Sequence, residues 1–295
     1  MLELLRARLP AIGDDSAVVE GLLLCADACV AGVHADLSLV GVDDLGWKAL
    51  AASVSDIAAM GGQPVAALVT VSGTVDLALL YDGLLAAAEE FGCPVVGGDL
   101  SAGDGLVVSV SVVGRCPDGA EPVWRSGAQA GDTLFVTGGL GASAAGLAML
   151  QSGRGRAARD LVAAHRRPRA RLAEGQAARQ AGATAMIDLS DGLGIDLWRL
   201  ADASEVGVVL ERAPAFPGAS KAQALGGGED YELLFAAPDR RRVATVFGRA
   251  GLRSPLPVGR CTADAGERRF GDGELPRAGW QHDFPVTNTP SAGVS

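Results

Sequence analysis

Residues 44–72 read DLGWKALAASVSDIAAMGGQPVAALVTVS. Small and apolar side chains recur at helical spacing as far as Met60, Gly61 and Gly62 stop the helix, and the valine-rich run 64–72 reads as a strand. A helix handed to a strand through a glycine pair is the building unit of a mixed α/β layer. The same alternation continues outward on both sides. Upstream, residues 17–26 read as an apolar strand closing on Asp27. Downstream come a helix over 76–91, a short strand PVVGG, and LVVSVSVVGRC, which alternates with the period of a sheet edge. The stretch 116–131, rich in Pro, Gly and charge, is the expected boundary, so the chain divides into an N-terminal sheet domain (1–120) and a C-terminal α/β domain (121–295). The second half restarts with strand TLFVTGG and helix 141–152. An arginine-rich section, helix 169–181, strand ATAMIDLS, helix 192–203 and strand VGVVL follow. GGGEDYELLFAAP reads as a turn feeding another strand, and from about residue 262 the chain reads as loop up to Trp280. The fold class is therefore α/β with mixed, α+β-like sheets in two units.

Composition bounds what this scaffold does. At 295 residues, 48% hydrophobic and with 41 glycines, the chain can bury a large core. Aromatics make up only 4%, so alanine, valine and leucine must fill it. A net charge of −10 argues against a general nucleic-acid binder. The arginine-dense stretch Arg154–Arg171 reads as a solvated helix face. Five cysteines form no CxxC pair and read as reduced, buried small hydrophobes. The opening MLELLRARLPAIGDD lacks a cleavage pattern, and no run reaches the roughly 18 apolar residues of a bilayer span. The expectation is a cytoplasmic protein with no membrane partner.

The chemistry concentrates in acids. Asp15 in IGDDSAVV, Asp27 in LLLCADACV, Asp56 in ASVSDIAAMG, Asp99 in PVVGGDL, and Asp188 and Asp191 in MIDLSDGLG sit beside small-residue or glycine turns. They read as ending strand-like runs and projecting together into a cleft, and Glu229 and Asp230 form a further acidic pair in GGGEDYELLF. Clustered carboxylates repel unless a hard cation holds them, which points to magnesium. The only lysines, Lys48 and Lys221, lie outside any GxxxxGK[ST] motif, so a Walker site is excluded. VTGGLGASAAG contains GxGxxA between a strand and a helix, and reads equally as a phosphate loop or as a tight turn needing glycine. His34, His165 and His282 are too scattered for a zinc site or a triad, and no GxSxG elbow exists. Six spread acids exceed a glycosidase pair and suit polyanion handling. Phosphoryl transfer between two phosphorylated molecules gathers about six negative charges, which about three or four Mg²⁺ could neutralise.

Taken in order, IGDDSAVV, ADACVAGVHA, GWKALAASVSDIAAMGGQP, VVGGD, RSGAQAGDTLFVTGGLGASAAGL, IDLSDGL and GGEDYELLF resemble the thiamine-monophosphate kinase family, relatives of aminoimidazole-ribonucleotide synthetase and selenophosphate synthetase. They run from residue 12 to 235, and GWQHDF resembles the family's C-terminal aromatic motif. The resemblance implies a two-domain fold like aminoimidazole-ribonucleotide synthetase and ATP-dependent conversion of thiamine monophosphate to thiamine diphosphate, without a catalytic side chain acting as base or nucleophile. It implies magnesium at Asp15, Asp27, Asp56, Asp99, Asp188 and Asp191, and ATP at Gly98, Asp99, Arg125 and Ser190. It implies thiamine contacts at His34, Glu229 and Trp280, and a homodimer formed through the N-terminal domain. Two departures stand out. Cys25 and Ala26 replace hydroxyl residues before Asp27, and Ala35 replaces the aromatic after Val33-His34. A selenophosphate synthetase would need a reactive Cys beside a lysine near the N-terminus, and a hydrogenase-maturation relative a cysteine-bearing tail where this chain reads TPSAGVS. An acidic metal-binding module without catalysis is the reading from another class. It predicts that ATP adds nothing to stabilisation by divalent ions.

Overall fold

The computed structural model describes residues 8, 9 and 12–281, so His282 and the rest of GWQHDF after Gln281 lie outside the described residues, as do residues 1–7. The first half forms a five-stranded sheet from β1 (Ala17–Val19), β2 (Leu22–Val30), β3 (Gln63–Ser72), β4 (Val95–Ser101) and β5 (Val107–Arg115), in the order β1-β2-β5-β3-β4. Only β3 and β4 run parallel. Helices α1 (Val42–Ala59) and α2 (Leu77–Phe91) pack on its inner face. The second half is a seven-stranded mixed sheet of β6 (Thr133–Val136), β7 (Ala185–Asp188), β8 (Gly207–Leu210), β9 (Leu233–Ala237), β10 (Leu256–Thr262), β11 (Arg268–Phe270) and β12 (Gly273–Glu274). Its order is β12-β11-β8-β10-β6-β9-β7. Its helices are α3 (Ala142–Gln151), α4 (Arg159–Arg166), α5 (Leu172–Ala181), α6 (Leu193–Ser204), α7 (Lys221–Gly226) and α8 (Arg240–Arg249).

Helix α1 ties the halves together. It is apolar or small on nearly every side, the signature of a helix enclosed all round. It packs on β2 and β5 and also on β7 and α5 of the second half. Glycine permits these close approaches. A Cβ built on Gly83 of α2 would sit 1.8 Å from the Asp43 carbonyl oxygen of α1, and one on Gly175 of α5 would sit 2.1 Å from that of Ala58. Gly83→Ala should therefore force α1 and α2 apart and cost about 1–3 kcal/mol. A lowered urea midpoint checks this, with Gly105→Ala, where nothing lies within 4 Å, as the neutral control.

Several local expectations change in three dimensions. Residues 17–26 are not one strand, because Glu20 and Gly21 adopt positive φ (50° and 77°) and turn the chain between β1 and β2. Asp27 therefore lies within β2, Asp56 within α1 and Asp99 within β4, and only Asp188 closes a strand. The alternating run β5 is not an edge. It lies between β2 and β3, since alternation reports one buried face and says nothing about lateral position. The region after 262 holds β11 and β12, and β10 fills the middle of the second sheet.

Candidate active site

Three carboxylates meet where the halves join. Asp15 from the loop before β1, Asp56 from α1 and Asp188 at the end of β7 each bring one oxygen within 4.8 Å of the others. Asp27 shares the inward face of β2 with Leu23 and Cys29 and lies against Asp56 and Ser53. Ser55 Oγ donates to Asp188 Oδ2 at 2.7 Å, linking α1 to the second sheet. Burial pushes the Asp56 carboxyl well above its usual range, with Asp27, Asp188 and Asp15 adding repulsion. Asp188 is raised likewise, by burial and then by Asp15. Burial and Asp15 push Asp14 up to about 6. A single guanidinium answers these charges. Arg125 forks onto Asp15 at 3.0 and 2.7 Å, while its backbone N–H donates to Asp14 Oδ2 at 2.9 Å. Burial opposes the Arg125 charge, but Asp15 outweighs it and keeps the group cationic. Such a nest can hold protons or hard cations.

Beside the cluster opens a cavity of about 390 Å³, lined by Asp27, Asp56, Asp188, Ser190, Asp191, His34, Glu229 and Trp280 among others. Glu229 and Tyr231 both have positive φ (63° and 50°), strain that the Glu229 N–H to Ser190 O and Tyr231 N–H to Leu189 O bonds hold in place. This turn sends neighbouring acids in different directions. Glu229 faces the cavity, where Oε2 accepts from the buried Lys48 Nζ at 2.8 Å and Oε1 is buried with no hydrogen-bond partner. Lys48 also donates to the His34 carbonyl at 3.1 Å. His165 of α4 stands 3.1 Å from Ser143 Oγ and 3.7 Å from Glu229. Burial, Lys48 and Arg166 push its pKa down to about 3, so it stays neutral.

Asp230 turns the other way and accepts from the backbone N–H groups of Gly141 and Ser143. The GxGxxA helix start is thus already occupied by the chain's own carboxylate, which burial raises to about 6. Asp230→Ala should uncap α3 and cost about 0.5–2 kcal/mol, read as a lowered melting temperature.

Ser190, Asp191, His34, Glu229 and Trp280 share the cavity with three of the acids, while Asp15 and Arg125 adjoin it. The Asp191 carboxylate is held by Arg199 at 2.6 Å. Gly98 and Asp99 are not brought to this place within the chain. They lie exposed on edge strand β4, three strands from Asp27, a separation of about 14 Å at the usual strand spacing. Pairing places Asp99 opposite Thr70, Thr70 opposite Ser109, and Ser109 opposite Ala28. Asp99 therefore shares the outer face with Ala28, and Asp27 points inward. Lys48, His165, Ser143 and Arg199 escaped the sequence reading. For Lys48 the signal was present, as a lone cation inside an otherwise apolar helix.

Two joined mixed-sheet units with an acid cluster between them define a class. Residues 13–116 match the family model "AIR synthase related protein, N-terminal domain" and residues 129–271 its C-terminal domain counterpart. The thiamine-monophosphate kinase of Escherichia coli K12 is 37% identical over 92% of this chain and 90% of its own length. The AaThiL complex with AMPPCP and TMP superposes with a TM-score of 0.84 at 33% identity, covering 96% of both chains. Thiamine monophosphate kinase from Aquifex aeolicus gives 0.80 at 31% identity, covering 94% of this chain and 96% of that one. The chain belongs to the thiamine-monophosphate kinase family of AIR synthase related proteins.

Proposed function

We propose that this chain transfers the γ-phosphoryl group of ATP to the phosphate of thiamine monophosphate, giving thiamine diphosphate and ADP. The observation that carries this reading is the joining of the acid cluster to the Glu229–Lys48 cavity between the two halves. AMPPCP and TMP in the AaThiL complex support it.

The donor set fits magnesium, because the converging ligands are all hard carboxylate oxygens. Asp15, Asp27, Asp56 and Asp188 would hold the ions, with Asp191 adjacent. Bound Mg²⁺ supplies neutralisation of the phosphate oxygens and of the charge developing on the leaving group. The chain's residues position the rest. The acceptor phosphate has a second pKa of about 6, so its oxygen is already anionic at neutral pH and needs no base. The new O–P bond forms as the bond to the β-phosphate oxygen breaks, and ADP leaves with the electron pair. Arg125 and Ser190 contact the nucleotide. Glu229 Oε1 accepts from an amino N–H of the thiamine pyrimidine, and the Trp280 indole faces the cationic thiazolium. His34 and the neutral His165 close the wall.

Gly98 and Asp99 enter this scheme through a second copy. β5 has neighbours on both sides, so pairing can continue only at β1 or β4, and the outer face exposes Leu22 and Leu68. A homodimer covering that face would present Asp99 of one protomer to the site of its partner. Mixing Asp56→Asn with Asp99→Asn protein should then restore activity that neither has alone, to about one quarter of wild type, because random pairing leaves one intact site in half of the dimers. No recovery after subunit exchange would place Asp99 outside catalysis in trans.

Among the described residues no helix is long and apolar enough to cross a membrane. Five unpaired cysteines suit the reducing cytoplasm, where we place the reaction. The decisive experiment incubates purified protein with ATP, Mg²⁺ and thiamine monophosphate and separates the products by chromatography. Absence of thiamine diphosphate, with stabilisation by Mg²⁺ but none by ATP, would return the chain to the non-catalytic metal-binding reading.

A further inference from the structure

We propose that the hairpin of α3 and α4 carries a second anion site, separate from the catalytic cavity, that takes a diphosphate-bearing ligand. Arg154–Arg171 holds seven arginines in a chain of net charge −10. Three of them are engaged away from the hollow: Arg154 bonds Ser152, Arg169 pairs with Glu90, and Arg171 pairs with the buried Glu232. The other four, Arg156, Arg159, Arg166 and Arg167, line a concave site of about 680 Å³ with Asp44 as the one carboxylate in its wall. Arg167 is spoken for, reaching Asp44 at 3.0 Å and Asp43 at 2.6 Å. Arg166 donates from one terminal nitrogen to the Leu39 carbonyl at 2.7 Å, while its Nε, 3.5 Å from Asp44, is buried without a hydrogen-bond partner. The side chains of Arg156 and Arg159 make no hydrogen bond or ion pair with any described residue. A solvated helix face would scatter these groups over a convex surface, whereas here they converge on a hollow.

The charge count selects the ligand class. Four guanidiniums against Asp44 and the adjacent Asp43 leave about two positive charges, and guanidinium forks match phosphate oxygens in pairs. A monophosphate would engage one fork, while a diphosphate can bridge Arg156 or Arg159 to Arg166. The hollow exceeds a bare diphosphate and its floor includes Leu150 and Val162, so an organic body can extend along it. The site backs onto the active one. α4 turns His165 into the catalytic cavity from its other side, against Ser143 of α3.

Calorimetric titration with inorganic pyrophosphate in EDTA tests the site. Without divalent ions the acid cluster repels anions, so any binding reports the arginines. Expected are one binding event for wild type, at least tenfold weaker binding for Arg156→Ala/Arg159→Ala, and unchanged binding for Asp56→Asn. Circular dichroism should confirm that the double variant folds, since neither side chain supports the structure. Titrations with ADP and thiamine diphosphate identify the source: whichever binds tighter than pyrophosphate supplies the organic body, and equal affinities make the inorganic ion the ligand. No binding by wild type at millimolar pyrophosphate, or equal binding by the double variant, overturns the proposal. None of these readouts requires turnover, so they stand apart from the kinase assignment.

Discussion

Asp56→Asn is expected to cut turnover by on the order of a thousandfold while making the magnesium-free protein more stable than wild type. The two effects have one cause. Asp56, half-buried at the cavity wall, sits against Asp27, Asp188 and Asp15, and among the described residues Arg125 is the cation that pairs with the cluster. In the absence of metal each carboxylate raises its neighbours, and ionising the set is unfavourable. Asparagine keeps the shape, removes one charge from the repulsion and leaves a neutral amide for Asp27. A gain of about 1–3 kcal/mol follows, or several degrees in melting temperature. The catalytic loss arises because a neutral amide no longer balances phosphate-bound cations during transfer. Melting curves in EDTA and in Mg²⁺ separate the two: the variant should start higher and gain less from the ion. A variant less stable than wild type in EDTA would mean that the cluster is not repulsive.

The second large effect is expected at Lys48. Its ammonium is 2.8 Å from Glu229 and almost fully excluded from solvent, with side-chain exposures of 2% and 22% for the pair. Lys48→Met keeps the length and packing but leaves Glu229 without its counter-charge. Breaking a buried pair from one side costs about 3–5 kcal/mol. Because Lys48 also holds the His34 carbonyl, two of the three predicted thiamine contacts, His34 and Glu229, lose their anchor together. The KM for thiamine monophosphate should rise at least tenfold while the KM for ATP stays within about twofold. Adding Glu229→Gln removes the orphaned charge and should recover most of the stability without recovering the KM. Equal losses toward both substrates, or stability unchanged in Lys48→Met, would show that the pair is not the thiamine-side anchor.

Much of the architecture was legible locally. Strand β3 and helices α1 and α2 were placed within two residues, because apolar runs there are long and their stops are glycines or a glycine–strand junction. β10 was not, since LPVGRCT carries Pro, Gly and Arg and owes its place to β6 and β8 on either side. α8 was equally hidden. RRRVATVFGR buries only Val243 and Phe247, one turn apart, so its helical period has two anchors. Of the acids singled out in the sequence, Asp15, Asp56 and Asp188 meet with Asp27 beside them, but strand ends were the wrong setting for Asp27, Asp56 and Asp99.

The sequence by itself determined the mixed α/β class, the absence of a Walker lysine and the list of acids, because local period and residue chemistry are properties of short segments. Tertiary structure decided which of those residues meet. Asp99 and Asp27 each sit on a strand of one sheet, yet pairing register sends them to opposite faces. Two positive φ angles, which no side-chain pattern announces, send Glu229 to the cavity and leave Asp230 capping α3. Lys48 finds Glu229 across 181 positions of sequence. Such meetings depend on register and on the path of whole loops, and neither is written in any one segment.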